Sequence, residues 1–247
     1  MHELFDLGVF PVVTMIFIFT FGFACIFHYL TEHSPVAAQL HRYRTVPDTT
    51  ISAVALLFGL FAAFLGADVW DRIRQERQSI EQEIGAVRTI NAVAQGLGDV
   101  GDGIRTDLRT FVVHNTALHS PPAEDALDEL VVSILKLADP QSTHQPSRDA
   151  MLAAYHDIKS ARALRVLLRN LNGDPHKWAT VILLGLITQF SFTFAAGKSS
   201  KGQAAGLAIF TLAYAVTLTA IAIHEMPRVL AEDVHYQALS RDLGPNS

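Results

Sequence analysis

Cysteine occurs once in this chain of 247 residues, at Cys25. A single thiol cannot form an intrachain disulfide or a cysteine-based metal site. Basic residues do not exceed acidic ones, since 19 lysines and arginines stand against 24 aspartates and glutamates and give a net charge of −5. The composition therefore argues against a disulfide scaffold, a cysteine-ligated metal and a nucleic-acid-binding protein.

Charged residues are also missing from four long apolar runs, which form two pairs around a polar middle. The runs are residues 9–30, 51–67, 178–196 and 204–223. Each has about the 20 residues that a helix needs to cross the hydrocarbon core of a bilayer. The pattern predicts an all-α membrane protein with four transmembrane helices. Transmembrane helices one and two occupy residues 1–70, a cytoplasmic helical domain occupies 71–177, and 178–247 hold helices three and four with a short tail.

Catalytic and metal-binding motifs are absent from this sequence. It has neither a Gly-x-Ser-x-Gly nucleophile elbow nor a His-Glu-x-x-His zinc motif. The two histidines associated with apolar runs, His28 and His224, are expected near opposite surfaces of a membrane, about 30 Å apart. They could not share a metal ion. We expect no catalytic residues, no metal and no cofactor, and a protein that is not an enzyme.

The basic residues near the ends of the runs indicate the orientation in the membrane. Those adjoining the middle segment are Arg72, Arg74, Arg77, Arg165, Arg169, Lys177 and Arg228, and those at the opposite ends are Arg42, Arg44, Lys198 and Lys201. Because cytoplasmic flanks carry the excess of positive charge, the middle domain and both termini are predicted to be cytoplasmic. The chain begins Met1-His2-Glu3, without the basic start of a signal peptide, so the first run is predicted to be a retained transmembrane helix.

The second run divides into two faces on a helix that advances 100° per residue. One face carries the small residues Gly59, Ala62, Ala63, Gly66 and Ala67, which favour close helix packing in lipid. The other face is bulky and ends in a carboxylate, and it faces lipid, another subunit or a central pore. With the neighbouring Leu65 included, the pore-lining candidates are Leu57, Phe61, Phe64, Leu65 and Asp68.

The polar middle is predicted to be a bundle of about four helices. No proline interrupts residues 51–96, so one long helix is expected to run from the second span into the domain. Further along, Arg162, Arg165 and Arg169 lie near one helix face. We favour pairing within the bundle with acids such as Glu76, Glu81 or Glu83, and the alternative is an anion-attracting surface or a lock between subunits.

The layout resembles the bestrophin-like domain family of bacterial membrane proteins. The segment that runs from Leu57 to Trp70, an acidic residue on the following helix and an Arg-x-x-Arg…Pro…Trp pattern carry the resemblance. The residues matching these motifs are Glu83, Arg162, Arg165, Pro175, Trp178 and Pro227. The chain departs from the family pattern where Glu-Trp-Pro is expected after the second cytoplasmic helix, because it reads Leu118-His119-Ser120-Pro121 there.

The resemblance implies a function by analogy with true bestrophins, which are pentameric anion channels with a hydrophobic neck on the second span. It implies a homo-oligomer in a lipid bilayer that passes inorganic anions. Leu57, Phe61 and Leu65 have the one-turn spacing of neck residues, and Phe64 is an equal contender. The alternative is a non-conducting scaffold or signalling adaptor whose cytoplasmic domain binds a partner.

Introduced cysteines test the predicted topology. In intact cells, cysteines replacing Glu124 and Asn246 should resist a membrane-impermeant thiol reagent, whereas one replacing His41 should react, because only the last position is expected outside. The unmodified chain, whose Cys25 lies within an apolar run, is the control for background labelling. The reverse labelling pattern would contradict a cytoplasmic domain.

Overall fold

The structure, a computed structural model, describes residues 9–35, 37, 47–114, 121–137, 144–170, 175–194 and 200–225. No strand occurs in these ranges, which confirms the all-α prediction. The α-helices in chain order are α1 (Val9–Glu32), α2 (Asp48–Gly96), α3 (Asp102–His114), α4 (Pro121–Leu135), α5 (Gln145–Asn170), α6 (Pro175–Phe192) and α7 (Ser200–Glu225).

The chain forms two compact units. The first, here called the membrane unit, contains the described residues up to Ile73 and from Pro175 onward, and therefore α1, the first half of α2, α6 and α7. The second, here called the helical unit, contains the described residues from Arg74 to Asn170, and therefore the second half of α2 with α3, α4 and α5.

Helix α2 is continuous over 49 residues, as the absence of proline predicts. At a rise of 1.5 Å per residue it is about 74 Å long, more than twice the thickness of a hydrocarbon core. The helix is followed by two positions, 98 and 101, whose backbone geometry requires glycine. Gly98 has φ 59°, a left-handed conformation, and a Cβ at Gly101 would overlap the Ala94 carbonyl. A short 3₁₀ helix, Gly98–Gly101, then leads into α3.

Among the described residues, three helices are long and apolar enough to cross a membrane: α1, α2 and α7. The third predicted span corresponds to α6, an 18-residue helix that begins with the polar sequence Pro175-His176-Lys177. Its length and composition do not place it with the other three. An integral membrane protein is therefore supported, while the four-span count and the cytoplasmic location of the helical unit stay predictions.

Aromatic and aliphatic side chains of α2, α6 and α7 form the core of the membrane unit. Phe58 packs edge-on against Tyr214, with ring centroids 5.2 Å apart. The buried members of this core are Phe58, Ala62, Leu65, Val69, Val181, Tyr214, Leu218 and Ile221. Within one chain, α2 therefore buries a mostly bulky face.

The small face of α2 is less used within the chain than its composition predicts. Ala62 is buried and a Cβ at Gly66 would lie 3.9 Å from Ile221, but Ala63 and Ala67 are exposed. Gly59 has nothing within 4 Å of an added Cβ. The reason is that the large rings of α7 fit against the larger side chains of α2, which fill more of the space between the helices.

A buried glutamine connects three helices of the membrane unit. The Gln189 side chain on α6 donates one hydrogen bond to the Thr20 carbonyl on α1, at 3.1 Å, and another to the Thr211 hydroxyl on α7, at 3.0 Å. Both interhelical bonds are fully buried, and such bonds hold helices together where water is excluded. This arrangement attaches α6 to two helices that are long enough to span a membrane.

The helical unit has a dense apolar core of its own. All four of its helices contribute, and the largest fully buried apolar side chains are Ile90 from α2, Ile104, Leu108 and Phe111 from α3, Leu127, Leu130 and Ile134 from α4, and Met151 and Ile158 from α5. This core has the aliphatic and aromatic composition that is usual for the interior of a globular domain.

The close packing at Gly185 makes a testable prediction. A Cβ at this position would overlap the Tyr214 ring, whose hydroxyl donates to the Ile182 carbonyl at 3.0 Å. Gly185→Ala should therefore lower stability by about 1–3 kcal/mol, measured as thermal unfolding in detergent. Gly22→Ala is the matched control, because an added Cβ meets nothing within 4 Å there. Equal unfolding midpoints for the two variants would show that the Tyr214 contact is not tight.

Candidate functional site

The bulky stripe of α2 lies on the surface of the membrane unit. Leu57, Phe61 and Phe64 are 48%, 42% and 59% exposed, which are large values for apolar side chains near the middle of a candidate span. With 100° per residue, these three positions and Asp68 fall within about 60° of each other around the helix. The described residues therefore leave an apolar stripe of α2 uncovered.

Leu65 does not belong to this stripe. It is 1% exposed and packs with Phe58 and Val69 in the core of the membrane unit. On the helix, Leu65 lies about 40° from Phe61 in the direction of that buried face. The structure thus separates the five sequence candidates into a surface group and one core residue.

Asp68, at the end of the stripe nearest the helical unit in sequence, forms an ion pair with Lys177 near the start of α6. Both side chains are about half exposed, so water also reaches the pair. Solvent screening makes such a pair weak as a source of stability. It nevertheless fixes a positive and a negative charge beside each other at one end of the apolar stripe.

Glu225, the last residue of α7, connects this helix to α6 and α2 in the membrane unit. Its carboxylate accepts a hydrogen bond from the Trp178 indole at 2.6 Å and contacts the Arg72 guanidinium at 3.2 Å. An acidic residue at the C-terminal end of a helix opposes the helix dipole, so these two donors compensate an unfavourable position. Beside it, the His224 ring packs at a tilt against Trp70, with ring centroids 4.4 Å apart.

Of the two prolines among the family-motif candidates, the structure describes Pro175. Pro175 is the first residue of α6, where its missing N–H costs no helical hydrogen bond. It therefore marks the start of the helix that carries Trp178. Pro227 lies outside the described residues.

The remaining motif candidates meet in the interior of the helical unit. Glu83 on α2 is completely buried and contacts Arg165 as well as Arg162, the latter with an Nη1–Oε1 distance of 3.6 Å. Arg162 also donates to the Glu124 carboxylate from Nη2 at 2.6 Å and from Nε at 3.2 Å. Pairing within the bundle, the interpretation that the sequence favoured for the arginine row, describes these two arginines.

An aromatic ring completes this charged cluster. The Arg162 guanidinium carbon lies 5.5 Å from the ring centroid of Phe111 on α3, within the range of a cation–π contact. Charges from α2, α4 and α5 and a ring from α3 thus meet around one side chain. The cluster links all four helices of the unit.

The pKa of Glu124 is lowered from its ordinary value by this arrangement. Burial raises the pKa, but the hydrogen bond and positive charge of Arg162, with a further contribution from Lys159, outweigh that effect. Lys159 lies 3.4 Å from Glu124 and 3.3 Å from Asp128. The pKa of Lys159 is raised, because the contributions of Asp128, Tyr155 and Glu124 exceed the opposing effect of burial.

No group of three or more histidine, cysteine, aspartate or glutamate side chains that could hold a metal ion occurs in the part of the chain that the structure describes. Each of the two units has one feature that could serve a function. These features are an uncovered apolar stripe with charges at its end, and a buried cluster of carboxylates and guanidiniums.

The family model for the bestrophin-like domain matches residues 18–228, which is most of the chain. The chain belongs to the bestrophin-like domain family. This confirms the resemblance based on the α2 sequence and the Arg-x-x-Arg motif. No functionally curated protein matches the sequence.

A solved structure of a single-site mutant of a bacterial bestrophin homologue from Klebsiella pneumoniae has a similar fold. The TM-score is 0.72, and the match covers 96% of this chain and 97% of that chain. Sequence identity is 12%, so the similarity concerns the fold. The bestrophin-like chain therefore has the bestrophin fold over nearly its whole length.

Sequence reasoning on this bestrophin-like chain missed the partners of its charged residues. Lys177 and Glu225 are single charged residues at helix ends, and their contacts with Asp68 and Trp178 join distant parts of the sequence. The sequence indicated only that Asp68 needs water or a partner, because it is a carboxylate at the end of an apolar run. Glu124 was likewise not among the candidate partners of Arg162.

The lowered pKa of Glu124 predicts an acid-sensitive contribution to stability. Because the folded-state pKa lies below the ordinary value of 4.5, the charged form stabilises the fold fully above that pH. The contribution is lost as the pH falls through the lowered pKa. Glu124→Gln should therefore cost about 1–2 kcal/mol at neutral pH, and the difference from wild type should shrink below pH 4.5.

Thermal unfolding between pH 3.5 and 7.5 measures this effect. Glu129→Gln is the control, since Glu129 is an exposed carboxylate on the same helix. A wild-type minus Glu124→Gln difference that stays constant across the whole range would contradict a titrating ion pair.

Proposed function

We propose that this bestrophin-like protein is a homo-oligomeric, passive and anion-preferring ion channel in which the α2 stripe of several copies surrounds the conducting axis. The observation that carries the proposal is the stripe itself, formed by Leu57, Phe61 and Phe64 and left uncovered by the part of the chain that the structure describes. The channel lies in the bacterial inner membrane with both termini and the helical unit on the cytoplasmic side. Inorganic anions are its substrates.

The chemistry of the stripe supports a hydrophobic constriction. Rings of large apolar side chains around a narrow axis exclude water, and an ion entering such a ring loses hydration that the side chains cannot replace. Phe61 lies between Leu57 and Phe64 in sequence. Like Phe64, it has a larger side chain than Leu57. Phe61 is therefore the residue that we assign to the narrowest point.

We infer that α6 crosses the membrane together with α1, α2 and α7. Its residue Gln189 is buried against α1 and α7, and Val181 lies in the core that α2 and α7 share with it. A helix that packs one side against spanning helices needs less apolar surface of its own, because that side faces protein rather than lipid. Four spans then account for the two-pair pattern of the sequence.

The ion pair at the end of the stripe supports a role in selectivity. Asp68 and Lys177 compensate each other, so the pair as a whole adds no net charge near the axis. Anion preference then requires an excess of positive charge at the mouth of the pore, beyond the charge of Lys177 that Asp68 neutralises. The bestrophin fold brings no selectivity by itself, because fold does not determine function.

Truncation of the central ring tests the constriction. Phe61→Ala widens it and eases wetting, so single-channel conductance or open probability should rise, by roughly tenfold if the barrier falls by about 1.4 kcal/mol. Phe19→Ala on α1, another exposed phenylalanine of the membrane unit, is the matched control and should leave conduction unchanged. Purified protein in planar bilayers with asymmetric chloride salts provides the measurement.

Two outcomes would contradict the proposal in different ways. Unchanged conductance of Phe61→Ala in a conducting protein would mean that the stripe faces lipid. Absence of any current from verified, inserted wild-type protein would instead favour the non-conducting scaffold.

Opposite single substitutions test the charged pair. Asp68→Asn leaves the Lys177 charge uncompensated and should shift the reversal potential toward that of chloride. Lys177→Gln leaves Asp68 uncompensated and should shift it toward that of the cation. The double variant should return close to wild type, because the two effects act through one pair. Shifts of the same sign in both single variants would exclude a paired role in selectivity.

A further inference from the structure

Two guanidinium groups lie next to each other inside the helical unit. Arg162 and Arg165 are one helical turn apart on α5, and they are 2% and 1% exposed. Two like charges in a buried location repel each other and have both lost hydration. Such a pair is stable only where an anion lies against both groups.

The chain itself provides that anion. The two carboxylate oxygens of Glu83 are divided between the arginines, with Oε1 facing Arg162 at 3.6 Å and Oε2 contacting Arg165. Glu83 comes from a different helix, α2, and its side chain is completely buried. The planar fork of an arginine is well suited to carboxylate and other oxyanions, so this geometry is that of an occupied anion site.

We propose that Arg162 and Arg165 form a binding site for a small monovalent carboxylate, and that Glu83 is the ligand which the chain supplies to it. The site is separate from the α2 stripe and does not depend on ion conduction. Shortening Glu83 to alanine removes one methylene and one carboxylate group, which together have the heavy atoms of acetate. Acetate then binds in the vacated space and restores the lost charge.

Glu124 makes a useful contrast to Glu83. It also contacts Arg162, yet its side chain is one-third exposed, and Lys159 shares it. Water can replace a carboxylate at that position, whereas water that enters at Glu83 would have to solvate the buried Arg165 guanidinium as well as the side of Arg162 that faces away from Glu124. A free anion should therefore compensate for the loss of Glu83 and not for the loss of Glu124.

Chemical rescue of the purified full-length protein tests the proposal. Thermal unfolding is followed for wild type, Glu83→Ala, Glu83→Gln and Glu124→Ala as potassium acetate replaces potassium gluconate at constant ionic strength. Gluconate is too large for the vacated space and serves as the reference anion. Glu83→Gln is neutral but fills the space, and a Glu83→Ala, Arg165→Met double variant has the space without the second guanidinium.

Glu83→Ala should show a saturable rise of the unfolding midpoint, by about 5–10 °C when acetate reaches about 100 times its Kd. The other variants and wild type should change little. If Glu83→Ala is recovered only as aggregate in gluconate, its recovery as folded protein in acetate supports the site equally. An acetate response shared by all variants, or a Glu83→Ala protein that neither responds nor folds at any acetate concentration, would overturn the proposal.

Discussion

Within one copy of this chain, the described residues cover one face of the apolar half of α2 and leave the neighbouring face exposed. The helices α6 and α7 bury Phe58, Leu65 and Val69, and the neighbouring face with Phe61 and Phe64 has no cover from the described residues. Apolar side chains of this size are not left in water, so lipid or further copies of the chain must surround them. The location, the assembly and the proposed conduction path all depend on which of these two it is.

Charged side chains connect helices in both units, but under different conditions. In the membrane unit, Glu225 at the end of α7 contacts the Trp178 indole of α6 and the Arg72 guanidinium of α2. In the helical unit, Glu83 meets Arg162 and Arg165 in a fully buried place. A buried cluster adds little net stability, since desolvation offsets attraction, but removal of one partner is costly. Such clusters therefore specify how helices are arranged more than how stable they are.

Periodicity and residue type predicted the features of this protein that arise locally. The continuous helix α2 follows from a long stretch without proline. The family followed from the α2 sequence and the spacing of Arg162 and Arg165. These features depend on neighbours in sequence or on one helix face.

Contacts between distant segments could not be predicted in the same way. Leu65 lies at the border between the bulky stripe and the buried face, and only the position of α7 decides that it is core. Composition alone could not identify Lys177 as the partner of Asp68, because several cations flank the spans. The packing of α6 could not be predicted either. Gln189 is buried because α1 and α7 lie against it, and that arrangement exists only in the assembled unit.

Disulfide cross-linking between copies tests most directly whether the α2 stripe surrounds a shared axis. In a Cys25→Ser background, Phe61→Cys should form intermolecular disulfides in membranes under mild oxidation, because equivalent residues around a narrow axis approach each other. Ile18→Cys, on an exposed face of α1, should remain monomeric on non-reducing gels. Cross-linking through position 18 without cross-linking through position 61 would contradict the account, since the stripe would then face lipid.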